Sequence, residues 1–316
     1  MVVVTLLWSV LALWIDGPAN RVLAGLLSVG LMLVAIALLV LTLRWRWVLA
    51  VTLVPFAAVL VWWLSISPSN DRNWQPDVAR PATAEIRGNQ VTIHNVRNFS
   101  YPSPTSSVER WETRTYDLGR LQSLDLFVSY WGPRAYAHTI VSWTFEGSAP
   151  LAISIETRKE KGEDYSALLG FFRQYELYYV VADERDVIGV RAGPRGEQVF
   201  LYRLGASPEL ARKILLDYLK EINRLARKPR WYNALTHNCT TTIRHHAQQV
   251  GAGNPFDWRI LANGYLDEMA YERSMINTHL PFPLMRERSE ITVRARAALA
   301  RPEFSELIRV GLPERP

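Results

Sequence analysis

"WYNALTHNCTTTIRHHAQQVG", residues 231–251, contains Cys239, the one cysteine in a chain of 316 residues. The segment ends at Gly251, a frequent helix stop, and Asn238 or Thr236 can cap its start, so we predict a helix that begins at Cys239. Unpaired backbone N–H groups at a helix start favour a thiolate over a thiol. The segment therefore offers a nucleophile, although a free cysteine is more often a small buried apolar residue.

Short runs rich in Val, Ile and aromatic residues, separated by turn residues, predict strands over much of the chain before this helix. They are EIRGNQVTIHNV with a Gly-Asn turn, WETRTYDL, SLDLFVSYW, AHTIVSWTF, LAISIET, ELYYVVA and QVFLYRL. Helices are predicted for DYSALLGFFRQY, for SPELARKILLDYLKEINRLARK with Ser207 as its cap, and for SEITVRARAALARPEFSELIRV, interrupted at Pro302. These patterns predict an α+β fold with an antiparallel sheet packed on helices.

The first 67 residues differ in composition from the rest, since they contain four charged residues: Asp16, Arg21, Arg44 and Arg46. A membrane span takes about 20 apolar residues, and the runs at about 22–43 and 47–67 have this length. The shorter run at 2–15 is predicted as a third membrane helix, because it lacks the basic start and cleavage site of a signal peptide. We therefore predict transmembrane helices in residues 1–67, a tether at 68–83, and a folded domain with a C-terminal helical extension at 84–316.

Basic residues near helix ends are retained on the cytoplasmic side of a membrane. With Arg44 and Arg46 inside, the domain that follows lies outside the cytoplasm. A cytoplasmic domain stays open as the alternative, since one short basic loop carries the argument. The net charge of +6 is too small and too dispersed for a nucleic-acid-binding surface.

A thiol nucleophile needs a base. His138 begins a predicted strand directly after a turn, where its side chain can face a helix tip. His246 shares the Cys239 side of the helix, but seven residues of helix place it roughly 10 Å along the axis, beyond hydrogen-bond reach. The other histidines receive structural interpretations: His94 in a hairpin strand, His237 as a loop contact, His245 on another helix face and His279 in a Pro-rich loop.

The strand that follows His138 supplies polar partners for an imidazole. Ser154 and Glu156 lie on one side of it, because side chains alternate along a strand. Either of them can orient the ring and fix its tautomer. For Glu156, a surface ion pair with Arg158 or Lys159 is an equal alternative.

The remaining motifs give no reason to expect a metal or a cofactor. One cysteine and the adjacent His245 and His246 do not reproduce a zinc-ligand spacing, and we find no Gly-rich phosphate loop. The stretch RAGPRGEQ, residues 191–198, is interpreted as a turn.

Three segments resemble the periplasmic domain of the Lnb-type bacterial lipoprotein N-acyltransferases: AHTIVSWTFEG, LAISIETRKEKGEDYSALLGFFRQYELYYVVADERD and WYNALTHNCTT. The resemblance covers roughly residues 94–267, and its most specific part is Asn-Cys-Thr-Thr after a Tyr-Asn-x-Leu-Thr lead-in. That domain is similar to permuted NlpC-type papain-like folds. The resemblance implies this fold here, with Cys239 as nucleophile, His138 as base and Glu156 as the third member of the site.

The resemblance also implies a two-step acyl transfer by a multi-pass protein of the bacterial inner membrane with its catalytic domain in the periplasm. A phospholipid donates the acyl chain, a Cys239 thioester carries it, and the amine of a lipoprotein N-terminus accepts it. We expect Asn238, Thr240, Tyr232 and Ser154 beside the substrate. Two alternatives stay open: a membrane-tethered NlpC-like hydrolase of peptide or cell-wall amide bonds, and a non-enzymatic binding domain in which Cys239 is buried filler.

Overall fold

The computed structural model describes residues 2–41, 45–103, 106–253 and 255–316, without the side chains at 2, 38, 39, 41 and 45–52. Three helices begin the chain, close to the predicted apolar segments: α1 (Val2–Ile15), α2 (Arg21–Leu41) and α3 (Trp45–Ser65). Within the described residues, no helix has both the length and the hydropathy that crossing a membrane requires. The predicted transmembrane character of these helices is therefore unsupported. Arg44 and the Arg46 side chain lie outside the described residues.

The three helices are tied to the rest of the protein by a loop at residues 171–174. The Asp16 carboxylate, directly after α1, accepts hydrogen bonds from the backbone N–H of Arg173 at 3.1 Å and from Gln174 Nε2 at 2.7 Å. Phe172 is buried in an apolar cluster with side chains of α1 and α3. Large apolar side chains on the outer faces of the helices are exposed, among them Leu26, Leu33 and Val61.

An eight-stranded sheet forms the centre of the domain. In chain order the strands are β1 (Thr83–Arg87), β2 (Gln90–Arg97), β3 (Ser100–Ser103), β4 (Ser106–Val108), β5 (Trp111–Asp117), β6 (Leu121–Tyr130), β7 (His138–Phe145), β8 (Ser148–Arg158), β9 (Glu176–Asp183) and β10 (Gln198–Arg203). The order across the sheet is β1-β2-β9-β8-β7-β6-β10, with β5 also paired to β2, while β3 and β4 pair separately. Apart from one parallel bridge between β2 and β9, the pairing is antiparallel, as predicted.

The hairpin of β1 and β2 shows how the sequence sets the register. Arg87 pairs with Gln90, so the turn consists of Gly88 and Asn89. Gly88 has a φ of 62°, in the left-handed region that glycine adopts without steric cost. The Gly-Asn turn predicted from the sequence is therefore confirmed.

Helices cover both faces of the sheet. They are α4 (Glu184–Val187), α5 (Gly189–Ala192), α6 (Pro208–Arg227), α7 (Cys239–Gln249), α8 (Leu266–Glu272), α9 (Phe282–Arg288), α10 (Thr292–Ala298) and α11 (Phe304–Leu307). One core lies between the sheet and α6, and includes Cys239 of α7. The other lies under α4, α5, α10 and α11. The predicted α+β class with a sheet packed on helices is thus confirmed, including the break of the last helical region at Pro302.

The segment DYSALLGFFRQY, residues 164–175, is not the predicted α-helix. It contains a single 3₁₀ turn at Leu169–Phe171. Its backbone groups form hydrogen bonds with distant residues. The Gly170 carbonyl accepts the Ala234 N–H at 2.8 Å, and the Arg173 N–H donates to Asp16. These tertiary hydrogen bonds take the place of a helical ladder, which explains why the local helical pattern was misleading.

The polar segment predicted as a tether lies along the domain surface. Trp74 is buried, and the Arg158 guanidinium stacks 4.2 Å from the centre of its ring. The Gln75 N–H donates to the Lys159 carbonyl at 2.9 Å. This segment therefore brings residues 74–78 to the end of β8, beside the candidate site.

Candidate active site

The start of α7 holds the thiol in a fixed position. The Asn238 side chain accepts the Thr241 N–H at 2.8 Å, and Thr241 Oγ1 accepts the Asn238 N–H at 2.9 Å, which is a reciprocal capping box. Cys239 is the first residue of the helix and is 6% exposed. The predicted helix start is confirmed, and the sulfur lies at the positive end of the helix.

His138, the first residue of β7, is the partner of that thiol. Its Nε2 lies 2.6 Å from Ser154 Oγ and 3.2 Å from Glu156 Oε1. Because Ser154 Oγ donates to Glu156 Oε1 at 2.7 Å, its oxygen accepts the Nε2–H of His138. Nδ1 is the ring nitrogen left for the hydrogen bond between His138 and the Cys239 sulfur.

The electrostatics of this pair favour its ionised form. Burial alone raises the pKa of Cys239, but the charge of His138 and hydrogen bonds from His138 and Thr139 outweigh it and lower the pKa to about 6. Burial alone lowers the pKa of His138, but the Glu156 carboxylate and the thiolate outweigh it and raise the pKa to about 9. Between these values the pair is a thiolate and an imidazolium, the reactive form of a cysteine nucleophile.

The pair opens into a cavity of about 550 Å³, within the size range of small-molecule sites. Tyr232 and Asn238, two of the four residues expected beside the substrate, are part of its wall. The other two are not: Ser154 lies behind the imidazole, and Thr240 Oγ1 donates to the Ile260 carbonyl at 2.8 Å. Six large apolar or aromatic side chains of the wall are exposed: Trp131, Tyr136, Tyr165, Phe171, Leu235 and Leu261.

Asn263 is a neighbour of the thiol that the sequence did not reveal. Its Nδ2 lies 3.5 Å from Cys239 Sγ, and its Oδ1 accepts the Ala137 N–H at 2.8 Å. The second bond fixes which end of the amide faces the sulfur, so Asn263 presents a donor to the reacting atom. In the sequence, Asn263 precedes a glycine and resembles an ordinary turn residue.

Arg191 is a second residue of the site that the sequence does not reveal, because its segment RAGPRGEQ has the pattern of a turn. It lies on α5 and is 4% exposed. Its Nη2 is 2.7 Å from the same Glu156 oxygen that faces His138. Although burial favours a protonated carboxyl, the cations of His138 and Arg191 hold the pKa of Glu156 well below its usual range. Glu156 is therefore part of this network rather than of a surface pair with Arg158 or Lys159.

Three other histidines, His246, His237 and His94, have partners away from the thiol. His246 is buried, with Nδ1 2.7 Å from Asp217 Oδ2 and Nε2 2.7 Å from the Tyr179 hydroxyl. His237 accepts from Arg230, and His94 lies beside Thr113 and Glu85. Among the residues that the structure describes, no group of His, Cys, Asp and Glu is arranged to hold a metal ion.

The family model for the Lnb N-terminal periplasmic domain matches residues 107–264, half of the chain and the part that contains Cys239, His138 and Asn263. The chain belongs to this Lnb domain family. The resemblance inferred from the sequence is thereby confirmed, and it identifies an Lnb-type periplasmic domain related to lipoprotein processing. Neither a curated protein nor a solved structure matches the chain.

Proposed function

We propose that this protein is a cysteine acyltransferase, which moves an acyl chain from a phospholipid through a Cys239 thioester to the amine of a lipoprotein N-terminus. The observation that carries the proposal is the contact between Cys239 and His138 at the wall of a cavity with an apolar, aromatic rim. Membership of the Lnb domain family supports the lipoprotein acceptor. A cysteine at a helix start facing a histidine from a sheet also supports a papain-like arrangement of the domain.

In the first step, the Cys239 thiolate attacks the carbonyl carbon of a phospholipid ester. A C–S bond forms and the ester C–O bond breaks. The departing alkoxide takes the proton of the His138 imidazolium and leaves as the hydroxyl of a lysophospholipid. The products are a thioester on Cys239 and a neutral His138, so charge and protons balance.

In the second step, the lipoprotein amine attacks the thioester carbonyl carbon. An N–C bond forms, the amine gives a proton to the neutral His138, and the C–S bond breaks. The sulfur leaves as a thiolate beside an imidazolium, which restores the starting pair. Two easier displacements thus replace one slow aminolysis of an ester.

Both steps pass through a tetrahedral oxyanion that needs hydrogen-bond donors. Asn263 Nδ2 lies 3.5 Å from the sulfur, on a side chain already oriented by Ala137. Backbone N–H groups at the start of α7 supply further donors, since a helix start attracts negative charge. We assign Asn263 and this helix start to the oxyanion.

The proposal includes the location of the protein, with α1 to α3 in the bacterial inner membrane and the domain on the periplasmic side. Exposed apolar side chains on these helices, such as Leu26 and Val61, support contact with lipid. The loop that contacts these helices at Phe172 continues into the cavity wall at Phe171. A donor in the lipid layer would therefore have a short path to Cys239.

Intact-mass measurement tests the proposal directly. The purified full-length protein is incubated with phospholipid vesicles, and we expect the mass of the protein to increase by that of one acyl chain. Because the chain contains one cysteine, Cys239→Ala must abolish the adduct. Addition of a diacylglyceryl-cysteine peptide should remove the acyl group from the enzyme and place it on the peptide amine.

A matched variant separates chemistry from folding. Thr236→Ala changes an exposed side chain close to the thiol in sequence, and it should acylate like the wild type. An adduct that survives in Cys239→Ala contradicts the proposal. Cleavage of lipid-free peptides without any acyl adduct would instead assign the site to an amide hydrolase.

A further inference from the structure

A second buried ion pair lies behind the carboxylate of the site. Arg191 Nη2 contacts Glu156, while its Nη1 lies 3.2 Å from Glu197 Oε2. The same Glu197 oxygen accepts a hydrogen bond from Ser129 Oγ at 2.5 Å. Arg191 and Glu197 are 4% and 6% exposed, so their charges are poorly screened by water. The polar chain thus runs from Cys239 through His138, Glu156 and Arg191 to Glu197.

We propose that Arg191 and Glu197 are positioning residues that set the basicity of His138 through Glu156. The inference rests on the proposed role of His138 as the base of the site. Neither residue touches the thiol in the described structure. Their effect on the reaction passes through the orientation of Glu156 and through the local electric field.

Arg191 has two opposing effects on His138. By holding Glu156, it keeps a carboxylate against the imidazole, which favours the imidazolium. Its own positive charge disfavours the imidazolium. Glu197 offsets that charge, so the Arg191–Glu197 pair can anchor Glu156 at little net electrostatic cost to His138. A proton that must leave and return in two steps needs this intermediate basicity.

Other charged or titratable groups also face this part of the site. Seven line the same cavity: Asp77, Arg97, Tyr136, Lys159, Tyr165, Arg195 and Tyr232. Arg97 is held in a two-point contact by Asp186, at 2.9 Å for both nitrogens. Tyr178, opposite Glu156 on β9, donates its hydroxyl to the Arg80 carbonyl. All of them are unchanged in the variants below, so differences between variants report Arg191 and Glu197.

The experiment measures the pKa of His138 directly in the full-length protein. Ring carbons of histidine are labelled with ¹³C, and the signal missing in His138→Gln identifies His138 among the six histidines. Titration is repeated in Arg191→Met, Glu197→Gln and Ser129→Ala. The last variant is the matched control, since it removes a hydrogen bond to Glu197 without changing any charge.

We expect Arg191→Met and Glu197→Gln to shift the pKa of His138 in opposite directions. Arg191→Met removes a nearby positive charge and should raise the pKa of His138 by about one pH unit, whereas Glu197→Gln should lower it by a similar amount. Ser129→Ala should change it little. The pH midpoint of Cys239 alkylation by iodoacetamide, which needs no lipid substrate, should fall in Arg191→Met and rise in Glu197→Gln, because a more stable imidazolium stabilises the thiolate. Arg191→Lys keeps the charge and should have a midpoint close to that of the wild type.

Each single variant leaves one buried charge without its partner, which destabilises a fold. The double variant Arg191→Met/Glu197→Met removes both charges, keeps the net charge and therefore serves as a folded alternative. Its His138 pKa should lie between those of the single variants. A purely structural role would reduce the amount of folded protein and leave the His138 pKa unchanged. Shifts in the same direction for both single variants, or no shift in either, overturn the inference. This readout is independent of acyl transfer, so failure of the proposed function gives a different result.

Discussion

Replacing Glu156 with glutamine should remove the charge that keeps His138 protonated. The change preserves the size of the side chain and its hydrogen-bonding capacity toward Ser154 and Arg191. It therefore isolates the electrostatic contribution of the carboxylate. We expect the pKa of His138 to fall and the pKa of Cys239 to rise, because each charge of the pair supports the other.

The magnitude follows from the geometry. Glu156 Oε1 lies 3.2 Å from His138 Nε2, and two unit charges at that distance interact by about 5 kcal/mol at an effective dielectric constant near 20. Burial and the Arg191 guanidinium oppose this attraction. The net balance of these contributions raises the pKa of His138 from 6.5 to about 9, which corresponds to about 3 kcal/mol in favour of the imidazolium. Loss of the carboxylate charge should bring the pKa to its ordinary value or below.

The assay is the pH dependence of iodoacetamide alkylation, followed by intact mass. In the wild type the rate should rise through pH about 6, the pKa of the thiol. In Glu156→Gln the increase in alkylation rate should occur at higher pH, so that the rate at pH 7 is lower on the order of tenfold. Ser154→Ala removes a hydrogen bond but no charge and should shift the curve less. Identical curves for wild type and Glu156→Gln would refute the role of Glu156.

Three further predictions concern activity and stability. Acyl transfer should show a bell-shaped pH profile, because the thiolate is protonated below about 6 and the imidazolium is deprotonated above about 9; initial rates across this range test it. Asn263→Ala should lower kcat on the order of 100-fold with little change in KM, since the oxyanion forms only during reaction; Asn263→Asp serves as a comparison that removes the donor but keeps the size. Trp143→Ala should lower the free energy of unfolding by about 3–5 kcal/mol, because the side chain is 0% exposed and its Nε1–H donates to the Ala211 carbonyl. Urea unfolding measures this loss, and a value below about 1 kcal/mol would contradict the prediction.

Local sequence patterns were sufficient to predict the elements that carry Cys239 and His138. Asn238 before Cys239 predicts a helix start, and the structure has one there. The turn before His138 predicts a strand start, and β7 begins at that residue. Alternation along β8 places Ser154 and Glu156 on one side, where both contact the imidazole. Each of these inferences depends on neighbours in sequence, which is the range over which such patterns act.

Residues that reach the site from distant segments could not be predicted in this way. Asn263 meets the thiol from a segment 24 positions after it, and Arg191 meets Glu156 from a short helix beyond β9. Nothing in their local sequence distinguishes them from turn residues. The prediction of a helix at residues 164–175 is wrong for the same reason, because backbone groups of this segment form hydrogen bonds with distant residues such as Asp16 and Ala234. Tertiary contacts of this kind override local preference.

The attachment of the loop at residues 171–174 to α1 limits how the protein can be shortened for biochemical work. A shortened protein that begins at residue 68 would lose Asp16, the acceptor for the Arg173 N–H and the Gln174 side chain. Phe172 would also become exposed to water, since the apolar cluster that buries it is built from the removed helices. The next residue, Phe171, belongs to the cavity wall. Substrate preferences measured on a truncated form would therefore be those of a cavity in which the segment around Phe171 is no longer held in place.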